Sequence, residues 1–216
     1  MRRRLGAVAQ PDHADASTIT TAVPGHRRPH CGSSVDNYAV NDDPAALDLY
    51  HAVHELFDED DGALPEVQID GVRPEEAQTI FDALVDLAVP LREDQTYSDQ
   101  ERDEGLPISS RADVARLAAE GQVTGLHVVL EGLNWAGGPV PDLGVSVWPG
   151  TVALDYRPGP EWSPTVVARF VSMLSMLAGR SSEGQLVAAD EGSNTLPAHR
   201  QEQFNRAIAR YRMHGD

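Results

Sequence analysis

Between residues 44 and 57, apolar side chains recur at Leu49, Val53, Leu56 and Phe57, the three- and four-residue spacing of a helix face. Asn41 or Asp42 can cap this helix, and Pro44 suits its first turn. The run Asp58-Glu59-Asp60-Asp61-Gly62 ends it. Glu66 to Val72 alternates, with Val67 and Ile69 on one side, and predicts a short strand. Pro74 opens a second helix with Glu75 and Glu76 in its first turn, where the helix dipole favours acids. Its stripe is Ala77, Ile80, Phe81, Leu84 and Leu87, and Pro90 ends it. Residues 92–105 carry six acids, two Arg and almost nothing apolar, which predicts a solvated or binding loop. Ser110 and Asp113 resemble a capping box for a third helix, stopped by Gly121.

The clearest pattern lies further along the chain. Gly125 to Leu133 reads as a strand, and Leu143–Trp148 and Thr151–Tyr156 as two more, joined at Pro149-Gly150. A two-residue hairpin there faces Val147 with Val152, Val145 with Leu154 and Leu143 with Tyr156, all apolar. The other side faces Trp148 with Thr151, Ser146 with Ala153 and Gly144 with Asp155. A one-residue slip would mix the two sets, so the register supports itself. Pro-Gly favours a type II turn whereas two-residue hairpins prefer I′ or II′, and a wider loop would reconcile the two. Ser163-Pro164 opens a helix with Val166, Val167, Phe170, Met173, Leu174 and Leu177 on one broad face, stopped at Gly179. Gln185 to Ala188 predicts a short edge strand, and Pro197 to His214 a last helix. The fold class is therefore α+β. An antiparallel sheet, made of the hairpin 143–156 and the strand 125–133, packs against helices, with a helix at the C-terminal end. Residues 1–40 lack any helical or strand period and read as a disordered tail, leaving 41–216 as a single α+β domain.

Composition removes chemistry. All 17 basic residues are Arg and none is Lys. Arg, Ala, Gly and Pro enrichment without Lys is what GC-rich coding produces, and it points to a bacterial, actinobacterial source. A P-loop, a protein kinase, a serine β-lactamase and a Schiff-base or PLP enzyme each need a Lys. The net charge is −17. It is distributed unevenly, +3 over residues 1–35 and −20 over 36–216. Phosphate backbones and anionic membranes are repelled by such a surface, so neither nucleic acid nor membrane is expected. A basic partner would be attracted, and its association would be steered and salt-sensitive. Cys31 is the single cysteine, which excludes an internal disulfide and a Cys-rich zinc site. No stretch approaches the roughly 18 apolar residues of a membrane helix. Leu5 to Ala9 is short for a signal-peptide core of about 7–15 residues, so a cytoplasmic location is expected.

Four groups of residues are candidates for function. His51, His54, Glu55 and Asp58 fall on one face if the first helix runs through them, and could hold a metal ion. HAVHE is not the H-E-x-x-H of metalloproteases, however, and the same residues suit a plain polar helix face. Asp58, Glu59, Asp60 and Asp61 form an acidic run without calcium-loop spacing: position 5 would be Gly62 and position 12 Ile69. It suits a basic partner or weak cation binding. His127, Glu131, Trp148 and Asp155 share the polar side of the expected sheet, and a His with carboxylates is the minimum for acid–base work. His127 and Glu131 would stand about 13 Å apart along one strand and could not touch. Trp135, Trp148 and Trp162 lie at strand ends or in loops beside Gly and Pro. They are either buried anchors or interface residues, and Trp148 and Trp162 are the candidates for a partner surface. No cofactor motif is present.

Residues 143–178, a strand, a PG turn, a strand ending LDYRPGPEWSP and a helix, resemble the sheet–helix half of small acidic bacterial immunity proteins from polymorphic toxin systems. The resemblance implies a non-catalytic protein that binds a toxin enzyme, a basic protein in many cases. Two alternatives stay open: a small hydrolase or metal-dependent enzyme using one of the His/carboxylate faces, and a structural or accessory protein without ligand.

Overall fold

The computed structural model describes residues 43–58, 62, 64–99, 104–124, 126–190 and 194–214. The expected tail 1–40 and the acids Glu59, Asp60 and Asp61 lie outside the described residues. Helix α1 spans Pro44–Val53 and is capped by Asp43, whose carboxylate accepts the Ala45 N–H at 3.0 Å. It stops short of the expected Phe57, because a tighter 3-10 turn, His54–Leu56, succeeds it. Strand β1 (Glu66–Val72) and helix α2 (Pro74–Leu87) match the alternation and the 3.6-residue stripe.

The acidic segment 92–105 departs from expectation. It forms strands β2 (Thr96–Asp99) and β3 (Glu104–Pro107), which pair antiparallel. Tyr97 is fully buried and Leu106 packs against the core, and the backbone pairing itself needs no further apolar side chains. Helix α3 covers only Val114–Ala119, and the expected capping box is not made. Ser110 instead donates to the Pro107 carbonyl, and the Asp113 carboxylate takes the guanidinium groups of Arg111 and Arg116. Strand β4 (Val123–Thr124) joins β2. Strand β5 is His127–Leu130, shorter than the expected 125–133, because Gly132 turns the chain with φ of 63°. Strands β6 (Asn134–Trp135) and β7 (Gly138–Pro139) make a small separate hairpin.

The hairpin of β8 (Leu143–Trp148) and β9 (Gly150–Tyr156) has the expected register, from Leu143↔Tyr156 to Trp148↔Thr151. No wider loop intervenes. Proline holds φ near −65° at Pro149, and Gly150 takes φ of 85°, the combination of a type II turn. Helix α4 (Pro164–Ala178) starts at the Ser163 cap and carries the chain to β10 (Gln185–Asp190). Strand β11 (Asn194–Thr195) and helix α5 (Ala198–His214) are the last described elements. The main sheet has the order β11-β10-β1-β9-β8-β5, with every pair antiparallel. So β10 is not the edge strand its sequence suggested; β11 covers its outer side. At the opposite edge, the Gln95 amide bonds both the N–H and the carbonyl of Val129, at 2.6 and 3.1 Å. One side chain thereby satisfies part of an edge that would otherwise invite another strand.

Sheet alternation puts Val67, Ile69, Val128, Val145, Val152 and Leu154 on one face, all buried. Apolar stripes from all five α-helices join them in one core. Phe57, Tyr156, Trp162 and Phe170 close its end near α1, with ring centroids 4.9–6.2 Å apart. Ala153 and Ala189, which point the other way, are buried yet stand outside this core. Among the described residues, no helix is long and apolar enough to cross a membrane.

Candidate functional site

The second face of the sheet carries the polar side chains, and its registers arrange them in rows. One row runs Ala189, Glu66, Asp155, Gly144, Val129 across β10, β1, β9, β8 and β5. The next runs Val187, Gln68, Ala153, Ser146, His127, and the third Gln185, Asp70, Thr151, Trp148. Gly144, Ser146 and Ala153 make a low floor at the centre, and the longer polar chains stand around it.

His127 and Asp155 meet across this floor, with Nε2 and Oδ2 3.0 Å apart. They belong to strands two places apart, about 9–10 Å at the usual strand spacing. The contact exists because the intervening position is Gly144. A Cβ built there would run into the Asp155 carboxylate, which lies over the glycine. The Asp155 side chain is 17% exposed and that of His127 48%. The hydrogen bond that His127 donates to the Asp155 carboxylate raises the His127 pKa above its ordinary value; partial burial opposes it, and the charges of Asp155 and Glu66 add to it. Gln68, 4% exposed, donates to Glu66 at 2.9 Å, and Thr151 donates to Asp70 at 2.8 Å. These bonds fix the two β1 carboxylates in place on the face. Trp148, half-buried, borders a groove of about 420 Å³ with His127, Ser146, Thr124 and Pro149.

Of the residues singled out from the sequence, the structure brings His127 and Asp155 together and keeps Trp148 beside them. Glu131 lies beyond β5 and pairs with Arg92 at 3.5 Å. Trp162 is not available to a partner. It is 1% exposed, packed in the aromatic cluster, and its indole N–H donates to the Arg157 carbonyl at 2.8 Å. Of the two readings the sequence offered for it, the buried anchor holds, because Phe57, Tyr156 and Phe170 reach it from other elements. His51, His54 and Glu55 line one small pocket with Arg200 and Phe204, although α1 ends at Val53 and a 3-10 turn carries His54 and Glu55; Asp58 follows that turn. His54, Glu55 and Asp58 each have their own partner. His54 Nδ1 lies 3.1 Å from the His51 carbonyl, Glu55 pairs with Arg200 at 2.7 Å, and Asp58 accepts from the Tyr50 hydroxyl. That hydrogen bond pushes the Tyr50 pKa up to about 12. Among the described residues, no group of three His, Cys, Asp or Glu is placed to hold a metal ion.

Sequence reasoning misses Glu66, Gln68, Asp70 and Gly144. The outward positions of β1 are legible in its alternation; their placement beside β9 is not. Chemically the face offers three carboxylates, an oriented imidazole and an indole. Among the described residues, no hydroxyl or thiol is hydrogen-bonded to His127, as an activated nucleophile would be. No family model, curated protein or solved structure matches the chain. The likeness of residues 143–178 to immunity proteins therefore rests on architecture alone.

Proposed function

We propose that the chain is a non-enzymatic, immunity-like protein-binding module for a basic partner, such as a toxin enzyme, and that it works in the cytoplasm. One observation carries the reading: the helices' apolar stripes pack with one face of the sheet, and the other face presents Glu66, Asp70, Asp155 and Trp148. Carboxylates fixed by hydrogen bonds lose little freedom on meeting an Arg or Lys, and a half-buried Trp is a typical interface anchor. The overall charge of −17 supports the same polarity of partner. The acids Asp58, Glu59, Asp60 and Asp61 would add to the steering of a basic partner.

The test is affinity capture from a host lysate with the parent and with Glu66→Gln/Asp70→Asn/Trp148→Ala. A basic protein held by the parent, released by salt and lost by the variant supports the proposal. Equal retention by both, or no basic protein held by the parent, overturns it. The His127–Asp155 pair favours a second reading, a small hydrolase using His127 as acid or base. Turnover of a model ester or amide by the parent and not by His127→Ala would put that reading first.

A further inference from the structure

Helix α5 is an electrostatic exception. It carries Arg200, Arg206, Arg210 and Arg212 against a single acid, Glu202, within a chain of net charge −17. Its buried stripe is Phe204, Ala207 and Ile208, which docks it beside α1 and against β10. On the α1 side the contact is incomplete. A groove of about 680 Å³ runs between the two helices, the largest cavity volume among the described grooves.

The groove has a defined chemistry. Its α1 wall is Ala45, Asp48, Leu49 and Ala52, and its α5 wall includes His199, Gln203, Arg206 and Arg210. Positions 199, 203, 206 and 210 have the spacing of one helical stripe. Leu49 and Ala207 are buried at the base, 3% and 6% exposed. Small residues, Ala45, Ala52 and Ala207, keep the helices from filling the space between them. At 1.5 Å per residue the α5 wall is about 16 Å long, three turns of helix.

The cations on this wall are not committed elsewhere. Arg206 meets Glu202 on its own helix at 2.9 Å, but both side chains are about two-thirds exposed, and such pairs exchange partners at little cost. Among the described residues, Arg210 has no carboxylate partner, and Asp48 across the groove pairs with neither Arg. Charges more than about 8–10 Å away are screened at physiological salt, so the local positive wall, not the net charge, decides what docks.

We propose that the α1–α5 groove receives an acidic amphipathic helix of a partner protein. The helix would set apolar side chains over Leu49 and Ala207 and carboxylates against Arg206, Arg210 and His199, the helix-in-groove mode of recognition. This surface is separate from the sheet face and takes a partner of opposite charge, so the inference stands without the function proposed above.

Fluorescence anisotropy of the full chain with a labelled 18-residue peptide tests it. The peptide has Leu at i, i+3, i+4 and i+7 and Glu at the positions flanking that stripe, where the groove walls stand; a control peptide has Lys in place of Glu. The parent is expected to bind the Glu peptide and to weaken steeply between 50 and 300 mM salt. Arg206→Gln/Arg210→Gln, both at exposed positions, is expected to weaken binding at least tenfold with an unchanged circular dichroism spectrum. Ala52→Trp, which fills the groove, is expected to do the same without altering charge. Glu66→Gln/Asp70→Asn on the sheet face is expected to bind as the parent does. Equal binding of the Lys peptide, no binding of the Glu peptide, or unchanged binding by both groove variants overturns the proposal. So does a parent that is dimeric by light scattering and becomes monomeric in Arg206→Gln/Arg210→Gln, since a second copy would then own the groove.

Discussion

Turning the main sheet over exchanges one kind of surface for another, although the same strands supply both. On one side Val67, Ile69, Val145, Val152 and Leu154 are buried in the core. On the other, Glu66, Asp70, Ser146, Trp148 and His127 retain exposure, around a floor of Gly144 and Ala153. The apolar side is held by area: a fully buried aliphatic side chain contributes about 1.5–3 kcal/mol. The polar side is held by particular hydrogen bonds, each worth about 1 kcal/mol net. A fold can lose one of the second kind and survive, so substitutions on that side are tolerated more easily than in the core.

The sharpest way to break the comparison is one charge on each side of adjacent positions. Val152→Asp places a carboxylate in the core without a partner, and we expect a loss of about 4–5 kcal/mol or failure to fold. Thr151→Asp, one residue away, removes the hydrogen bond to Asp70 and sets two carboxylates together, at an expected cost of about 1–2 kcal/mol. Urea denaturation of both variants decides. Equal losses, or the reverse order, would mean that the two sides are not distinct.

The two tryptophans sharpen it next. Trp162→Ala opens the aromatic cluster and should destabilise by about 3–5 kcal/mol. Trp148→Ala, half-buried on the polar face, should cost about 1 kcal/mol. If thermal melts showed Trp148 to matter as much, the polar face would be a second core.

The smallest effect concerns proton binding. Asp155 holds the His127 pKa above its ordinary value, so the folded state keeps its proton to higher pH than the unfolded chain does. The stability this adds is complete below the unfolded value of about 6.5, and is lost as pH rises through the folded value. Because His127 is half exposed, the contribution is small. Gly144→Ala should push the Asp155 carboxylate aside, and Asp155→Asn should remove its charge. Both should lower the His127 pKa toward its ordinary value in an NMR titration. An unmoved titration in both variants would show that the pair does not persist in solution.

Parts of this molecule are legible in the order of its residues alone, and the β8–β9 hairpin is the clearest. Its register arises from six cross-strand pairs and one turn, all within fourteen residues, and every pair is found. The α4 cap at Ser163 is equally local. By contrast, the β2–β3 pair reads as a loop, because strand pairing of polar segments leaves no hydrophobic period to detect. The site is half legible. His127, Trp148 and Asp155 fall on the correct face, but Glu66 and Asp70 belong to a strand more than fifty residues earlier in the chain.

Alternation and capping act over a few residues, so the sequence by itself determined that β1, β8 and β9 have one apolar side, where α2 and α4 begin, and that the chain is acidic and without Lys. Tertiary structure alone decided that β1 sits between β9 and β10, that Trp162 is enclosed by three aromatics from other elements, and that α1 yields to a tighter turn at His54. It also decided that Asp155 reaches His127 over Gly144. Strand order and the closing of side chains across a sheet depend on which distant segments bury each other's apolar surface, and no local period carries that information.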